Sequence, residues 1–186
     1  MNFEEINLKL FLDDIGISHS NKTLSDRIAI QKAVFIGQCA GLNFGFHYSW
    51  YEYGPYSRDL TPVYYRFNRN YADNERDYEN CSLKGVIKDR ISEFIALLAP
   101  PDEFNPDTLE NNKKIERKSA WLEFIASILY LMEEYNNDVT EVKIRLMNSN
   151  KKRYCKYYNL AIEKIKEVNL FKEKYYPEES SSSISG

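Results

Sequence analysis

Apolar residues along this chain recur mainly at helical spacing. Phe3, Ile6, Leu8, Leu10, Phe11 and Ile15 predict a first amphipathic helix that ends at Gly16. A second is predicted over Arg27–Ala40, capped by Ser25 or Asp26. It has Ile28, Gln31, Phe35 and Cys39 on one stripe and Gly41 as its stop. The clearest stripe is Trp121, Ile125, Ile128, Leu129, Met132 and Tyr135, which reads as core. Further helices are predicted after Ser57, from a cap at Ser82 through Leu98, from a cap at Thr140 through Met147, and from about Tyr154 to Val168. Pro100-Pro101 closes the Ser82 helix, Asn68–Asp77 reads as a polar loop, and Pro106-Asp107 opens a short helix or turn before the charged run Lys113–Lys118. Leu42–Tyr53 is the one convincing β region, with a turn or bulge at Gly45. The sum is a mainly α fold with a small β-ribbon (α+β). It reads as a single compact helical domain over residues 1–176, with 177–186 a flexible tail.

The ribbon ends in an unusual corner. Trp50-Tyr51-Glu52-Tyr53 runs into Gly54-Pro55, and Tyr56-Ser57-Arg58 follows. Glycine tolerates backbone angles that other residues resist, and proline fixes φ near the value a turn requires. Ser57 is then the expected cap of a helix through Leu60, Val63, Tyr64 and Phe67. A strand, a bend and a capped helix form one unit.

Composition sharpens the picture in two places. Fifteen tyrosines and ten phenylalanines exceed what a core of this size needs, and tyrosine is favoured at protein interfaces as well as at core boundaries. The net charge of −3 conceals a segregation. Residues 143–174 hold ten basic and three acidic side chains, a net +7 that leaves −10 for the remainder. Within it, Lys151, Lys152, Arg153 and Lys156 interleave with tyrosines, the residue mixture that holds phosphates and stacks on bases. The alternative is a solvated helix face whose tyrosines touch the core. Three widely spaced cysteines with no CxxC pair read as free thiols in a reducing cytoplasm, and no leader or membrane-spanning pattern is visible.

Reaction chemistry finds few candidates. His19 and His47 stand far apart without zinc-site spacing, and His47 is expected to pack or hydrogen-bond within the aromatic strand. No nucleophile elbow and no phosphate-cradling glycine loop occurs, so no catalytic residue, metal or cofactor is assigned. Pro101-Asp102 followed by Glu141-Val142-Lys143 imitates a metal-nuclease pattern. That chemistry needs its groups converging from neighbouring strands, whereas Glu141 and Lys143 fall in a helical stretch where positions two apart diverge.

Two linked motifs resemble a known family. Ile30-Gln31-Lys32-Ala33-Val34-Phe35-Ile36-Gly37-Gln38 is similar to a helix pattern L-Q-K-x-x-Y/F-x-x-Q, and Trp50-Tyr51-Glu52-Tyr53-Gly54-Pro55-Tyr56-Ser57 follows it in order. The succession resembles the Panacea (SocA-like) antitoxin domain and the YwgA-type bacterial proteins, over residues 25 to 67. Beyond residue 80 only helical character is shared. The resemblance implies a cytoplasmic bacterial or phage protein that acts by binding another protein: a toxin, a protease-adaptor target, or a phage or host factor. The matching positions are Gln31, Lys32, Tyr53, Gly54, Pro55, Tyr56 and Ser57, with Trp50 and Arg58 flanking them as possible contacts. Gln31 is placed to hydrogen-bond the backbone of the bend, and Tyr56 to pack back under it. These residues serve either partner contact or the pinning of the ribbon to the helix. A nucleic-acid-binding regulator, using the basic 143–174 segment or the early helices as a helix-turn-helix-like unit, is the alternative.

Overall fold

The computed structural model describes the backbone of residues 3–79, 81–106, 109–110 and 113–177, and the side chains of 3–70, 81–106 and 115–177. Among these, eight α-helices and two small hairpins follow one another. The first half holds α1 (Phe3–Asp14), α2 (Leu24–Cys39), β1 (Ser49–Tyr51), β2 (Gly54–Tyr56), α3 (Leu60–Glu79) and α4 (Gly85–Phe94). The second holds β3 (Leu109–Glu110), β4 (Lys113–Lys114), α5 (Arg117–Glu134), α6 (Val139–Met147), α7 (Tyr158–Lys166) and α8 (Asn169–Tyr175). Short 3₁₀ turns at Ile95–Leu98 and Lys152–Tyr157 lead out of α4 and into α7. The mainly helical α+β fold expected from the periodicity is the fold observed.

Helices α2 and α5 are its axis. Each is buried nearly all round, which is what a helix with apolar residues on every face requires. Their seam is lined by small polar groups. The Ser25 hydroxyl donates to Ser119 Oγ (2.8 Å) and accepts from the Glu116 N–H (2.9 Å), and Ser119 Oγ donates to the Ser25 carbonyl (3.0 Å). Ser25 therefore serves the neighbouring helix rather than capping its own. The α2 cap is Thr23, whose hydroxyl accepts from the Asp26 N–H while the Asp26 carboxylate accepts from the Thr23 N–H, a reciprocal capping box. A continuous core spreads from this axis, running from Leu8 to Tyr176. Trp121 is anchored in it by donating to the Leu97 carbonyl at 2.7 Å.

Several boundaries differ from the sequence expectation. The β region is confined to Ser49–Tyr51, because residues 42–48 pair with a side chain instead of a strand. Gln38 Nε2 donates to the Phe46 carbonyl (3.0 Å) and Gln38 Oε1 accepts from the Phe46 N–H (3.1 Å), after a left-handed Gly45. The Asn68–Asp77 stretch continues α3 to Glu79: no glycine or proline interrupts it after Pro62, and Asn68 returns its amide to the Tyr64 carbonyl at 2.8 Å. Ser82 does not cap α4, whose first cap position, Lys84, makes no side-chain cap bond. Asp138 rather than Thr140 caps α6, accepting from the Thr140 and Glu141 N–H groups. The helix predicted from about Tyr154 to Val168 is a 3₁₀ turn and α7, and after a break at Glu167–Val168 a further helix, α8, follows that was not expected. The pairing of β3 with β4, which runs into the start of the Lys113–Lys118 run, was not expected. Asp107, where a helix or turn was expected to open, and residues 178–186 of the expected tail lie outside the described residues.

The bend lands against the middle of α5. Gly54 takes φ +78°, and a Cβ at that position would run into Ser127 Oγ. Gly54→Ala therefore carries both backbone strain and a clash, together about 2–4 kcal/mol. Adding Ser127→Ala removes the clash alone. Urea denaturation should recover part of the loss in the double variant but not all of it. Full recovery would show that the φ value is no constraint, and no recovery would show that Ser127 is not the obstacle.

Candidate functional site

Side chains from α2 and from the 150–151 segment hold the backbone of the bend. Gln31 acts like a piece of adjacent strand: its Nε2 donates to the Ser57 carbonyl and its Oε1 accepts from the Ser57 N–H, both at 2.9 Å. Lys32, the next residue of α2, donates from Nζ to the Pro55 carbonyl. Lys151 Nζ and Asn150 Nδ2, entering from the far end of the chain, both donate to the Glu52 carbonyl at 2.5 Å. Ser57 then caps α3 as expected, its hydroxyl accepting from the Leu60 N–H. Tyr56 folds back onto that helix, its hydroxyl 2.7 Å from Thr61 Oγ1. The hairpin pairs Ser49 with Tyr56 and Tyr51 with Gly54 in antiparallel register. Too short to be stable alone, it is fixed by these ties.

Behind the bend lies a buried charge centre. Glu123 of α5 has no exposed surface and pairs with Lys151 Nζ at 2.5 Å, and Lys151 is equally buried. Tyr154 donates its hydroxyl to Glu123 Oε2 at 3.3 Å, and Arg153 approaches the same oxygen at 3.7 Å. Lys32 is 1% exposed. Burial pulls its pKa down from the usual 10.5 to about 7; Glu123 opposes that shift and Lys151 adds to it. One carboxylate thus serves two lysine clamps. Sequence reasoning missed Glu123, Asn150, Ser127 and the clamping role of Lys151. The only signal for Glu123 was a lone carboxylate interrupting the apolar run Ala120–Met132.

The outward side of the hairpin is aromatic. Tyr51 is 39% exposed and carries Arg58 over its ring at 5.4 Å, with Arg58 Nη2 also donating to the Tyr51 hydroxyl. Trp50 turns instead toward Tyr130, 5.7 Å between centroids. Between the hairpin and the starts of α2 and α3 runs a cleft of about 280 Å³, walled by Tyr51, Tyr53, Tyr56 and Tyr65 and floored by Lys32 and Tyr64.

The basic segment is rearranged relative to expectation. Lys151 cannot contact a nucleic acid, because it is fully buried against Glu123. Arg153 is turned inward onto Tyr154 and Glu123, leaving Lys152 exposed and Lys156 exposed over the Tyr157 ring. Elsewhere in the segment Arg145 pairs with Glu141, Lys164 with Glu167 and Lys174 with Glu133. A helix-turn-helix role for α2 fails on burial, since α2 has no free face to lay in a groove. Glu141 and Lys143 do lie on one helix, α6. His47 is exposed, 3.7 Å from Asp59, rather than packed in a strand. The Cys39 thiol is pushed up to about 12, chiefly by burial and then by Glu133, far from the thiolate that nucleophilic chemistry requires. No helix among the described residues is long and apolar enough to cross a membrane.

Comparison with protein-family models, with curated proteins and with solved structures finds no match to this chain.

Two predictions follow from the charge centre. Glu123→Gln leaves two buried ammonium groups without their carboxylate and should cost about 3–5 kcal/mol in chemical denaturation; a loss under about 1 kcal/mol would show that the centre is not holding the fold together. The second concerns pH. Lys32 releases its proton near pH 7 in the folded chain but only near 10.5 when unfolded, so above pH 7 the unfolded state binds the extra proton. Stability should therefore rise between pH 7 and about 8, where free thiols are still mostly protonated and tyrosines wholly so. Lys32→Met should flatten that rise. A midpoint constant or falling over the window would contradict the assignment.

Proposed function

We propose that this chain is a non-enzymatic protein-interaction module, antitoxin-like or adaptor-like, that binds a partner protein through the β1–β2 hairpin and the tyrosine-walled cleft beside it. The observation that carries this reading is the division of labour in the hairpin. Its backbone is held by Gln31, Lys32 and Lys151, while Tyr51 and, across the cleft, Tyr65 remain 39% and 45% exposed. A surface of rigid tyrosines on a pre-ordered backbone loses little entropy on docking, the property that makes such residues effective in recognition. The motif pair that resembles the Panacea and YwgA-type proteins supplies this clamp, and with it a bacterial or phage setting and a toxin, adaptor target or host factor as partner. Gly54, Pro55 and Ser57, all buried, belong to the scaffold in this reading, and Tyr51, Tyr53 and Arg58 to the contact face.

Affinity capture from bacterial cells, followed by mass spectrometry, compares the wild-type chain with a Tyr51→Ala/Tyr65→Ala variant. Both substitutions are at exposed positions and should leave the melting temperature nearly unchanged. The expected result is a protein enriched at least about tenfold by the wild type over the variant, a loss of about 1.4 kcal/mol or more. Recovery of the chain alone, or equal retention by both forms, would overturn the proposal.

A further inference from the structure

The cleft contains a cation whose hydrogen-bonding capacity is unfilled. An ammonium group has three donors, and Lys32 Nζ uses one, on the Pro55 carbonyl. Its other two donors meet no acceptor among the described residues, although the side chain is 1% exposed and forms part of the cleft floor. Neutral neighbours on that floor are already engaged: the Gln31 amide is consumed by Ser57 and Thr61, and Thr61 Oγ1 by Gln31, Tyr56 and Ser57. Glu123, the buried carboxylate that acts on Lys32, is committed to Lys151 at 2.5 Å. An entering group therefore meets aromatic walls with a cation beneath them. Arg27, at the α2 end of the cleft, bonds the Asn21 and Lys22 carbonyls through Nη1 alone, so its remaining donors also meet no acceptor among the described residues. Against these two cations the lining holds one acid, Glu52. Glu52 is exposed to water and well screened, whereas Lys32 is not.

We propose that the cleft receives an acidic side chain of the partner protein, its carboxylate accepting from Lys32 Nζ while the tyrosine rings enclose its methylene stem and Arg27 flanks the entrance. This rests on the interaction reading above and deepens it to the chemistry of the contact. It also explains why a lysine stands where a neutral donor would clamp Pro55 equally well. The bound carboxylate supplies Lys32 with the counter-charge that Glu123 cannot give to two lysines. Binding favours the protonated amine and so weakens as Lys32 loses its proton above pH 7. The other groups facing Lys32 are Glu123 of α5, Lys151 just before the 3₁₀ turn, Tyr53 and Tyr56 of the hairpin and Tyr64 of α3. Arg27 and Glu52 stand further along the cleft. Arg27 keeps its charge throughout this range.

The test uses the full ¹⁵N-labelled chain and two capped peptides, acetyl-Ala-Glu-Ala-amide and its Gln counterpart, titrated at fixed ionic strength and followed by amide shifts. The Glu peptide should move resonances within Arg27–Lys32 and Tyr51–Tyr56 and bind at least about tenfold more tightly than the Gln peptide, as a charge-assisted hydrogen bond requires. Its affinity should fall between about pH 6 and about pH 8.5, across the titration of a lysine held near neutrality. Lys32→Gln should abolish the preference for Glu; if that variant fails to fold, the peptide pair and the pH series on the wild type still decide. Equal binding of the two peptides, shifts elsewhere, no shifts, or a pH-independent affinity would each overturn the proposal. If the Tyr51→Ala/Tyr65→Ala variant loses a captured protein while the peptides bind alike, the interaction reading stands and this one falls. Peptide discrimination with no captured protein upholds the carboxylate site and sinks the protein-partner reading.

Discussion

One carboxylate sets the terms for the rest of this molecule. Glu123 sits inside the most apolar helix of the chain, where an unpaired charge is expensive enough that the group would otherwise take up a proton. Pairing with Lys151 fixes where the 150–151 segment crosses the bend, and Lys151 in turn reaches the Glu52 carbonyl. Residues almost a hundred positions apart are thereby locked together through a hairpin of three residues per strand. A methionine in place of the lysine and a leucine in place of the glutamate would fill similar volume, and such exchanges are often neutral or stabilising. What an apolar pair cannot do is donate to a carbonyl. The Glu123–Lys151 pair is kept here because the bend has a carbonyl, at Glu52, that no strand satisfies.

The same logic runs along α2. Gln31 and Gln38, two helical turns apart, each offer an amide that pairs with both the N–H and the carbonyl of one residue, Ser57 and Phe46 respectively. Each glutamine replaces one rung of a β-ladder. A buried helix can therefore carry an irregular segment across its surface without leaving the segment's backbone unsatisfied. This is why the chain between Leu42 and Ser57 needs so little strand, and why its aromatic side chains are free to point elsewhere.

Helix positions and the core stripe were legible because periodicity reports burial directly. Ser57 as a cap was legible as well, since a cap acts on backbone three residues away, and Gln31 as a tie to the bend was legible only through the motif pair. Boundaries failed where local chemistry was read without its tertiary partner. Ser25 looks like a cap, yet its hydroxyl is taken by Ser119 and Glu116. Asn68 and the polar residues after it look like a loop, yet nothing in them breaks a helix. Lys151 was read as a surface cation because lysine is rarely fully buried. Only the fold brings Glu123 within 2.5 Å and reverses that reading. A pairing between residues 28 positions apart, with no motif linking them, leaves no trace in one sequence.

Rigidity at the bend and instability at Lys32 are two sides of one arrangement. A lysine whose charge is only half supported lowers the stability of the isolated chain near neutral pH, and a neutral hydrogen-bond donor at that position would avoid the loss. Such a deficit is tolerated where a ligand removes it, because whatever stabilises the charged form binds more tightly by the amount the free protein lacks. A carboxylate seated between the tyrosine walls would displace water from the same space, which strengthens a charge pair formed there. A well-ordered hairpin with an under-compensated cation behind it is the arrangement that the proposed acidic side chain would complete.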